Sequence, residues 1–315
     1  MKKLLITRAL PEAVLAAARA RFDVTLRDQT NGLSVAEAAA ALRDYDAILP
    51  TLGDAFSADA FGGEIRCGVL ANFGVGYNHI DVAAARAAGV AVSNTPDAVT
   101  DATADIGMTL ILSTCRRAGE GERLVRAGKW TGWQPTQMLG THVTGKTVGI
   151  VGMGRIGQAV ARRCHYGFNM PVLYFNRSPK TVDLPATRVD GLHDLMAQAD
   201  IVVVTVPGGG SNTHLIDAAA IAAMKPSGIF VNIARGDVVD EEALIAALQN
   251  GQIAGAGLDV FAKEPFVPET LRALENVVIL PHLGTAALEV REAMGQMALD
   301  NIIAWDEGRS LPQAV

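Results

Sequence analysis

Residues 146–157 of the chain, KTVGIVGMGRIG, decide its fold. An apolar strand, Lys146–Val151, runs into the glycine hexad Gly152–Gly157, and a helical pattern, Gln158–Cys164, follows. A further apolar strand, Val172–Phe175, closes the unit. This order is the strand–helix–strand frame that a GxGxxG dinucleotide fingerprint requires. Its glycines allow a tight turn and close backbone approach to a pyrophosphate, which then meets free amide groups at the helix N-terminus.

The residues about 20 positions further on decide which dinucleotide fits. A carboxylate at this place would bind a ribose 2′-hydroxyl and repel a 2′-phosphate. The chain instead has Asn176, Arg177 and Ser178, with Lys180 close behind. An amide, a guanidinium and a hydroxyl suit a phosphate. The sequence therefore predicts that NADP(H) is preferred, with NAD(H) as the alternative cofactor; the competing interpretation is a solvated basic turn.

Apolar strands alternate with Ala-rich helical patterns on both sides of this unit, which favours parallel sheets covered by helices. Ser34 and Glu37 form a plausible capping box for the helix Val35–Arg43. Two long helices are predicted at Thr100–Arg126 and Ala286–Asp306. The pattern predicts an α/β protein of two doubly wound Rossmann-like units with parallel sheets, joined by these helices with a cleft between them. The predicted strands are Lys3–Thr7, Asp23–Leu26, Ala47–Leu49, Val69–Ala71, Val90–Ser93, Thr147–Val151, Val172–Phe175, Ile201–Thr205, Ile229–Asn232, Gly255–Val260 and Val277–Leu280.

Composition excludes several classes of protein. A length of 315 residues fits about two domains. The net charge of −6 leaves no basic footprint for nucleic acid. The apolar start ends at Arg8, before a secretion signal could form, and no apolar run reaches the roughly 18 residues of a membrane span. Cys67, Cys115 and Cys164 are scattered without metal or redox spacing, which predicts buried reduced thiols, no metal site and a cytoplasmic protein.

Three segments at the carboxyl ends of predicted strands carry the chemistry, because open α/β sheets bind ligands at that edge. Arg235 follows the strand Ile229–Asn232 and can serve as a carboxylate fork. Asp259 ends the next strand and leads to Glu264, and His282 follows the last strand. A lone Arg in such a place is more often a surface charge, and a lone His is more often structural. A carboxylate beside His282 would fix its tautomer and favour the imidazolium, as a proton donor to a developing alkoxide requires.

These segments together resemble the D-isomer-specific 2-hydroxyacid dehydrogenase family over essentially the whole chain. The resemblance rests on NFGVGYNHID from Asn72, NTP from Asn94, GMGRIG from Gly152, NIARGDVVDEEAL from Asn232, GLDVFAKEP from Gly257 and PHLGTA from Pro281. Within the family, the NRS triplet at Asn176–Ser178 is similar to the NADP-dependent glyoxylate/hydroxypyruvate reductases. The resemblance implies NADPH-dependent reduction of a small 2-oxo acid to the D-2-hydroxy acid.

The resemblance also implies roles for single residues. Arg235 binds the substrate, His282 donates the proton and Glu264 is its partner, while the amides of Val75 and Gly76 complete the carboxylate site. Asp259 faces the carboxamide end of the cofactor, and Thr103 lies near the nicotinamide. The implied cofactor-binding set is Thr103, Gly152, Gly154, Arg155, Ile156, Gly157, Asn176, Arg177, Ser178, Val206, Pro207, Thr213, Ile233, Ala234, Asp259, His282 and Gly284.

The family layout implies a discontinuous substrate domain, residues 1–97 with 287–315, and an inserted NAD(P)-binding domain, residues 98–286. The long helices would then be hinges whose closure excludes water. Family members are commonly homodimers joined through their cofactor domains. Trp133 matches a residue that reaches the partner's active site in the related reductases; it is equally interpreted as an aromatic residue of the interface core.

Two departures and several alternatives stay open. The loop Pro207–Thr213 is unusually rich in glycine on the adenosine side, and Asp105 stands where many relatives have Glu. Phosphoglycerate and phenylpyruvate dehydrogenases are enzyme alternatives from the same family. Formate dehydrogenase is a further relative, but it has an amide where this chain has the acid Glu264, which favours carbonyl reduction. A dinucleotide-sensing corepressor is the alternative of another class, and turnover with a small 2-oxo acid separates it from an enzyme.

Overall fold

The computed structural model describes all 315 residues and divides into two compact units. Unit 1 comprises Met1–Val99 and Thr285–Val315, and unit 2 comprises Thr100–Gly284. No helix in either unit combines the length and the apolar character that crossing a membrane requires. The predicted cytoplasmic location stays a prediction.

Unit 1 is built on a five-stranded sheet in which every pair is parallel, in the order β2-β1-β3-β4-β5. All residues of β3 and β4 are buried, as expected for central strands covered on both faces. Ser34 and Glu37 form the predicted capping box at the start of α2. The elements are β1 Lys3–Ile6, α1 Glu12–Arg19, β2 Asp23–Leu26, α2 Val35–Asp44, β3 Ala47–Leu49, β4 Val69–Ala71, α3 Val82–Ala87, β5 Ala91–Ser93 and the last helix of the chain, α11 Leu288–Asp306.

The helix α11 returns the chain to unit 1 and packs on the same face of the sheet as α1. Its residues Ala298, Leu299 and Ile302 belong to one apolar cluster with Leu4 and other strand residues. A Cβ at Gly295 would lie 2.6 Å from Cγ2 of Val14, so the two helices approach each other closely only because that position has no side chain.

Unit 2 is built on a seven-stranded parallel sheet in the order β12-β11-β10-β9-β6-β7-β8. The chain reverses its winding between β6 and β9, and such a switch point is where open α/β sheets bind ligands. The elements are α4 Thr100–Cys115, α5 Ala118–Arg126, β6 Val148–Val151, α6 Arg155–Phe168, β7 Val172–Phe175, β8 Ala186–Arg188, α7 Leu192–Gln198, β9 Ile201–Val204, α8 Ala218–Ala222, β10 Ile229–Asn232, α9 Glu241–Gln249, β11 Gly255–Leu258, α10 Glu269–Arg272 and β12 Val277–Ile279.

The predicted fold class, two doubly wound parallel units, is confirmed. The prediction of one helix over Thr100–Arg126 is wrong, because α4 ends at Cys115 and Arg117 takes a left-handed conformation with φ 53°. The amide of Thr141 donates to the carbonyl of Cys115 at 2.7 Å, so a loop distant in sequence takes over an acceptor at the end of α4. Gly140 permits this approach, since a Cβ there would lie 2.4 Å from the same oxygen.

Two smaller differences concern strand and helix limits. The edge strand β8 was not predicted, because its three residues are half-buried or exposed and carry no apolar run. The last helix begins at Leu288 rather than at Ala286.

The three cysteines are unpaired and buried, as predicted. Burial raises the pKa of Cys67 and of Cys164 to about 12 and that of Cys115 to about 11. The thiolate is the reactive form, so these thiols are inert at neutral pH.

Candidate active site

The glycine hexad after β6 has the geometry of a phosphate loop. Gly152 has φ 101°, and a Cβ there would lie 2.7 Å from Cγ1 of Val206. A Cβ at Gly157 would lie 2.2 Å from the carbonyl oxygen of Gly152, so this glycine lets α6 pack against the turn. A Cβ at Gly154 would meet nothing within 4 Å. The first and third glycines therefore serve the turn and the helix packing, while the second leaves open space for a ligand.

The N-terminus of α6 faces this open space. Its N-cap residue is Gly154, and no side chain caps the first turn. The orphan amides and the positive end of the helix dipole are the groups that bind a phosphate. Thr205, at the end of β9, donates its hydroxyl proton to the carbonyl of Gly152 at 2.6 Å and so fixes the turn. The chain thus fits a dinucleotide pyrophosphate here, with Arg155 and Ile156 opening the helix.

The basic turn after β7 is held against this loop. Oδ1 of Asn176 accepts the amide of Met153 at 3.2 Å, and its Nδ2 donates to the carbonyl of Ser178 at 2.9 Å. Arg177 is exposed, and its Nη1 donates to Oγ of Ser211 at 3.3 Å. No carboxylate occupies residues 176–180. The turn therefore presents a guanidinium and hydroxyls at the place where the fingerprint positions a ribose.

The loop Pro207–Thr213 connects this turn to the segment that carries Arg235. The amide of Gly209 donates to Oδ2 of Asp237 at 2.7 Å. A Cβ at Gly208 would lie 2.7 Å from Cγ of Arg235 and 2.8 Å from Oδ1 of Asp237. Contact with the Arg235 segment thus gives Gly208 a physical reason, while Gly209 and Gly210 have φ values of 76° and 55°, which favour glycine.

Arg235 follows β10 in a backbone turn fixed by a buried asparagine. Asn232 accepts the amide of Ala234 at 3.0 Å and donates to the carbonyl of Arg235 at 2.9 Å. Burial lowers the pKa of the Arg235 guanidinium, and the charges of Glu264 and Asp237 oppose that shift. Nε of Arg235 is buried without a hydrogen-bond partner in the protein. A desolvated guanidinium of this kind suits a carboxylate ligand.

Gly236 brings the Arg235 turn against the segment after β11. A Cβ at Gly236 would lie 1.9 Å from the carbonyl carbon of Phe261, so the two backbones touch. The amide of Phe261 in turn donates to Oε1 of Glu264 at 3.0 Å. The two side chains are close enough to affect each other's ionisation. The charge of Glu264 acts to raise the pKa of Arg235, and the charge of Arg235 acts to lower the pKa of Glu264.

Glu264 and His282 form a direct pair. Nδ1 of His282 lies 2.8 Å from Oε2 of Glu264, and the two side chains are 30% and 28% exposed. Burial raises the pKa of the Glu264 carboxyl, but the hydrogen bond and charge of His282, the Phe261 amide and the charge of Arg235 lower it more. Its pKa therefore lies below the usual range, so Glu264 is ionised at neutral pH. With Nδ1 engaged, Nε2 of His282 is the ring atom left to exchange a proton with a ligand.

Asp259 anchors the turn that carries His282. Its carboxylate accepts the amides of Leu283 at 2.6 Å and Gly284 at 2.8 Å, and its carbonyl accepts the amide of His282 at 3.0 Å. Thr103 donates its hydroxyl proton to the carbonyl of Gly284 at 3.2 Å. Burial raises the pKa of Asp259, while these amides and the charge of His282 oppose the rise. His282 itself has φ 54°, a backbone conformation that this turn imposes.

The remaining predicted cofactor residues lie at the same sheet edge of unit 2. Ile233 and Ala234, which connect Asn232 to Arg235, are buried. Val206 and Pro207 follow β9. Thr213 ends the glycine-rich loop and is exposed.

The predicted substrate residues outside this edge are found in two other places. Val75 and Gly76 follow β4 in unit 1, and neither amide makes a hydrogen bond within the protein. Trp133 belongs to the loop after α5 in unit 2 and is 79% exposed.

Sequence reasoning assigned no role to several residues that hold this site. Asn232, Thr205 and Asp237 each fix a loop whose other residues were predicted. The available signal for Asn232 and Thr205 was a polar residue at the end of an apolar strand. Asp105 now has a structural account, because its carboxylate pairs with Nε of Arg163 on α6 at 2.8 Å.

Comparison with known proteins shows which family the chain resembles. The profile described as the D-isomer specific 2-hydroxyacid dehydrogenase NAD binding domain matches residues 108–284. A glyoxylate reductase of Thermococcus onnurineus is 42% identical, covering 99% of this chain and 95% of that protein. A glycerate dehydrogenase of Hyphomicrobium methylovorum is 38% identical, covering 100% of this chain and 99% of that protein.

A solved structure extends the comparison to the fold. The NADPH-dependent glyoxylate/hydroxypyruvate reductase of Sinorhizobium meliloti, in complex with NADP and malonate, has a TM-score of 0.90 at 35% identity, covering 100% of this chain and 96% of that one. The resemblance drawn from the sequence is thereby confirmed. The chain belongs to the D-isomer-specific 2-hydroxyacid dehydrogenase family and is an oxidoreductase with an NAD-binding domain.

Proposed function

We propose that this enzyme uses NADPH to reduce glyoxylate or hydroxypyruvate to the corresponding 2-hydroxy acid, with D configuration where the product is chiral. The observation that carries the proposal is the pair formed by His282 and Glu264, which lies in one unit with Arg235 and the phosphate loop. A general acid, a carboxylate fork and a dinucleotide loop are the parts that such a reduction needs.

The residues of the chain divide the chemistry as follows. When bound, the reduced nicotinamide supplies the hydride that reaches the substrate's carbonyl carbon. Arg235 binds the substrate carboxylate and holds the carbonyl in place, and the amides of Val75 and Gly76 complete the carboxylate site. Negative charge grows on the carbonyl oxygen, and Nε2 of His282 gives that oxygen its proton. Glu264 holds the imidazole through Nδ1 and so keeps Nε2 as the atom that meets the substrate.

The cofactor assignment rests on the turn after β7. Arg177 and Ser178 present a positive charge and a hydroxyl with no carboxylate nearby in the turn, which suits a 2′-phosphate. Asp259 and Thr103 would hold the carboxamide end of the nicotinamide. Unit 2 is accordingly the cofactor domain, and unit 1 is the substrate domain.

The proposal includes a homodimer formed through the cofactor domains. Four large apolar side chains in and after α5 are more than half exposed: Val125, Trp130, Trp133 and Leu139. Such a concentration of apolar surface is typical of an interface. Trp133 then contributes either to the interface core or to the active site of the partner subunit. Light scattering of the wild type and of a Trp130→Ala variant tests the dimer, and substrate KM for Trp133→Ala tests the second role.

The decisive experiment measures kcat/KM for glyoxylate, hydroxypyruvate, phenylpyruvate and 3-phosphohydroxypyruvate, each with NADPH and with NADH. The proposal expects the highest values for the two small acids with NADPH. A preference for phenylpyruvate or for the phosphorylated acid would replace the substrate assignment. Tight cofactor binding with negligible turnover of every acid would instead indicate a dinucleotide sensor.

A further inference from the structure

The loop after β4, residues 72–76, is held by two asparagine side chains in unit 1. Nδ2 of Asn72 donates to the carbonyls of Gly74 at 3.0 Å and Gly76 at 3.1 Å. Nδ2 of Asn94, just after β5, donates to the carbonyl of Val75 at 2.9 Å. All three consecutive carbonyls of the loop are therefore engaged by side-chain amides.

Because the peptide bond is planar, the hydrogen bonds to these carbonyls also fix the directions of the neighbouring N–H groups. In a trans peptide the carbonyl of one residue and the N–H of the next point in opposite directions. Fixing the carbonyl of Gly74 therefore fixes the N–H of Val75, and fixing the carbonyl of Val75 fixes the N–H of Gly76. Neither of these N–H groups donates to any acceptor in the protein. Two successive amides that are oriented and have no acceptor in the protein are donors suited to an anion.

Asn72 has a further property that its packing alone does not explain. Its side chain is 1% exposed, and its Oδ1 is buried without a donor. An unpaired buried oxygen carries a desolvation penalty. Asn72 thus keeps an unpaired buried oxygen, and both hydrogen bonds of its Nδ2 go to carbonyls of the loop 72–76. Gly74 completes the arrangement, because its φ of 153° suits only glycine.

We infer that Asn72 and Asn94 are positioning residues that aim the Val75 and Gly76 amides at the carboxylate of the substrate. The inference rests on the proposed function, which assigns those amides to the carboxylate. Asn94 acts on the Gly76 amide and Asn72 on the Val75 amide. Neither side chain touches the substrate; each acts through a carbonyl.

The test uses Asn94→Ala and Asn94→Leu, since Asn94 is only half-buried and the two variants differ in volume but both lack the donor. The probe is oxamate, an analogue of a 2-oxo acid that is not reduced, titrated into enzyme saturated with NADPH. We expect the Kd of oxamate and the KM of glyoxylate to rise by roughly threefold to tenfold, the effect of losing one hydrogen bond. We expect kcat and the NADPH Kd to stay near wild-type values, because the amides bind ground and transition states alike.

A matched control is Asn31→Ala, which removes an exposed asparagine elsewhere in unit 1 and should leave every constant unchanged. Asn72→Ser provides a second variant, with Tm measured alongside because Asn72 is buried. If both Asn94 variants keep wild-type values for oxamate and glyoxylate, the inference is wrong. It is equally wrong if NADPH affinity falls in proportion, since the effect would then not be specific to the substrate carboxylate. Absence of 2-oxo acid reduction by the wild type would overturn the proposed function and this inference together.

Discussion

Nδ1 of His282 and Oε2 of Glu264 lie 2.8 Å apart, and this contact ties the last strand of unit 2 to the loop after β11. The contact has a measurable consequence because it helps to keep Glu264 ionised. The pKa of Glu264 is lowered in spite of burial, chiefly through His282. The ionised carboxylate is the acceptor that holds Nδ1 of the ring.

We expect Glu264→Gln to lower kcat/KM for glyoxylate at neutral pH, because an amide lacks the negative charge with which the carboxylate holds Nδ1 of His282. The pKa of Glu264 is lowered, so in the wild type the carboxylate stays ionised as pH falls and is protonated only below its usual range. The wild type should therefore lose activity on acidification through that range, and the variant, which has no carboxyl group at this position, should lack that loss. Profiles of kcat/KM against pH with the same acidic limb in both enzymes would contradict the coupling.

His282→Ala should lower kcat for glyoxylate by about 10²–10⁴-fold, the usual effect of losing a general acid. The NADPH Kd should stay within the wild-type range, since the imidazole is not assigned to the phosphates. His193→Ala is the matched control, because that histidine is exposed on α7 and is not among the predicted site residues. If His282→Ala keeps a near-normal kcat, His282 is not the proton donor.

Arg177→Ala should weaken NADPH binding by on the order of tenfold to a hundredfold, the effect of losing a charge-assisted contact. NADH binding should change little, because NADH has no 2′-phosphate. Kd values for both cofactors, measured by fluorescence titration, check this. Arg188→Ala removes an exposed arginine on β8 and should leave both values unchanged. If Arg177→Ala weakens the binding of NADPH and of NADH equally, Arg177 does not bind the 2′-phosphate.

Gly208→Ala should raise the KM for glyoxylate, because its Cβ would displace Arg235 from a contact at 2.7 Å. Gly167→Ala is the control, since a Cβ there meets nothing within 4 Å and the residue lies inside α6. That control should keep activity and gain about 0.5–1 kcal/mol in the free energy of unfolding. If Gly208→Ala keeps the wild-type KM, the loop has moved to accommodate the new Cβ and the guanidinium of Arg235 has stayed in place.

Reduction of hydroxypyruvate should give D-glycerate, as the family assignment implies. Chiral chromatography of the product made with NADPH decides this directly. L-glycerate as the main product would mean that the substrate binds with its carbonyl face reversed relative to the proposed arrangement.

The sequence by itself determined the parts of this protein that depend on local pattern. The apolar runs placed the central strands, because strand period and burial are read within a few residues. The hexad Gly152–Gly157 defined the phosphate loop, since Gly152 and Gly157 meet backbone requirements of the turn and of helix packing and Gly154 leaves space for a ligand. The identities of Arg235, Glu264 and His282 and of the NRS turn were also available, and the family resemblance connected them.

The tertiary structure decided what depends on contacts between distant segments. The break after α4 involves the Thr141 amide at the carbonyl of Cys115. Gly208 is required by the close approach of Arg235 and Asp237. The orientation of the Val75 and Gly76 amides depends partly on Asn94, which belongs to another strand end. Such contacts form only when the sheet places its strand ends side by side, so no local window of sequence contains the information that fixes them.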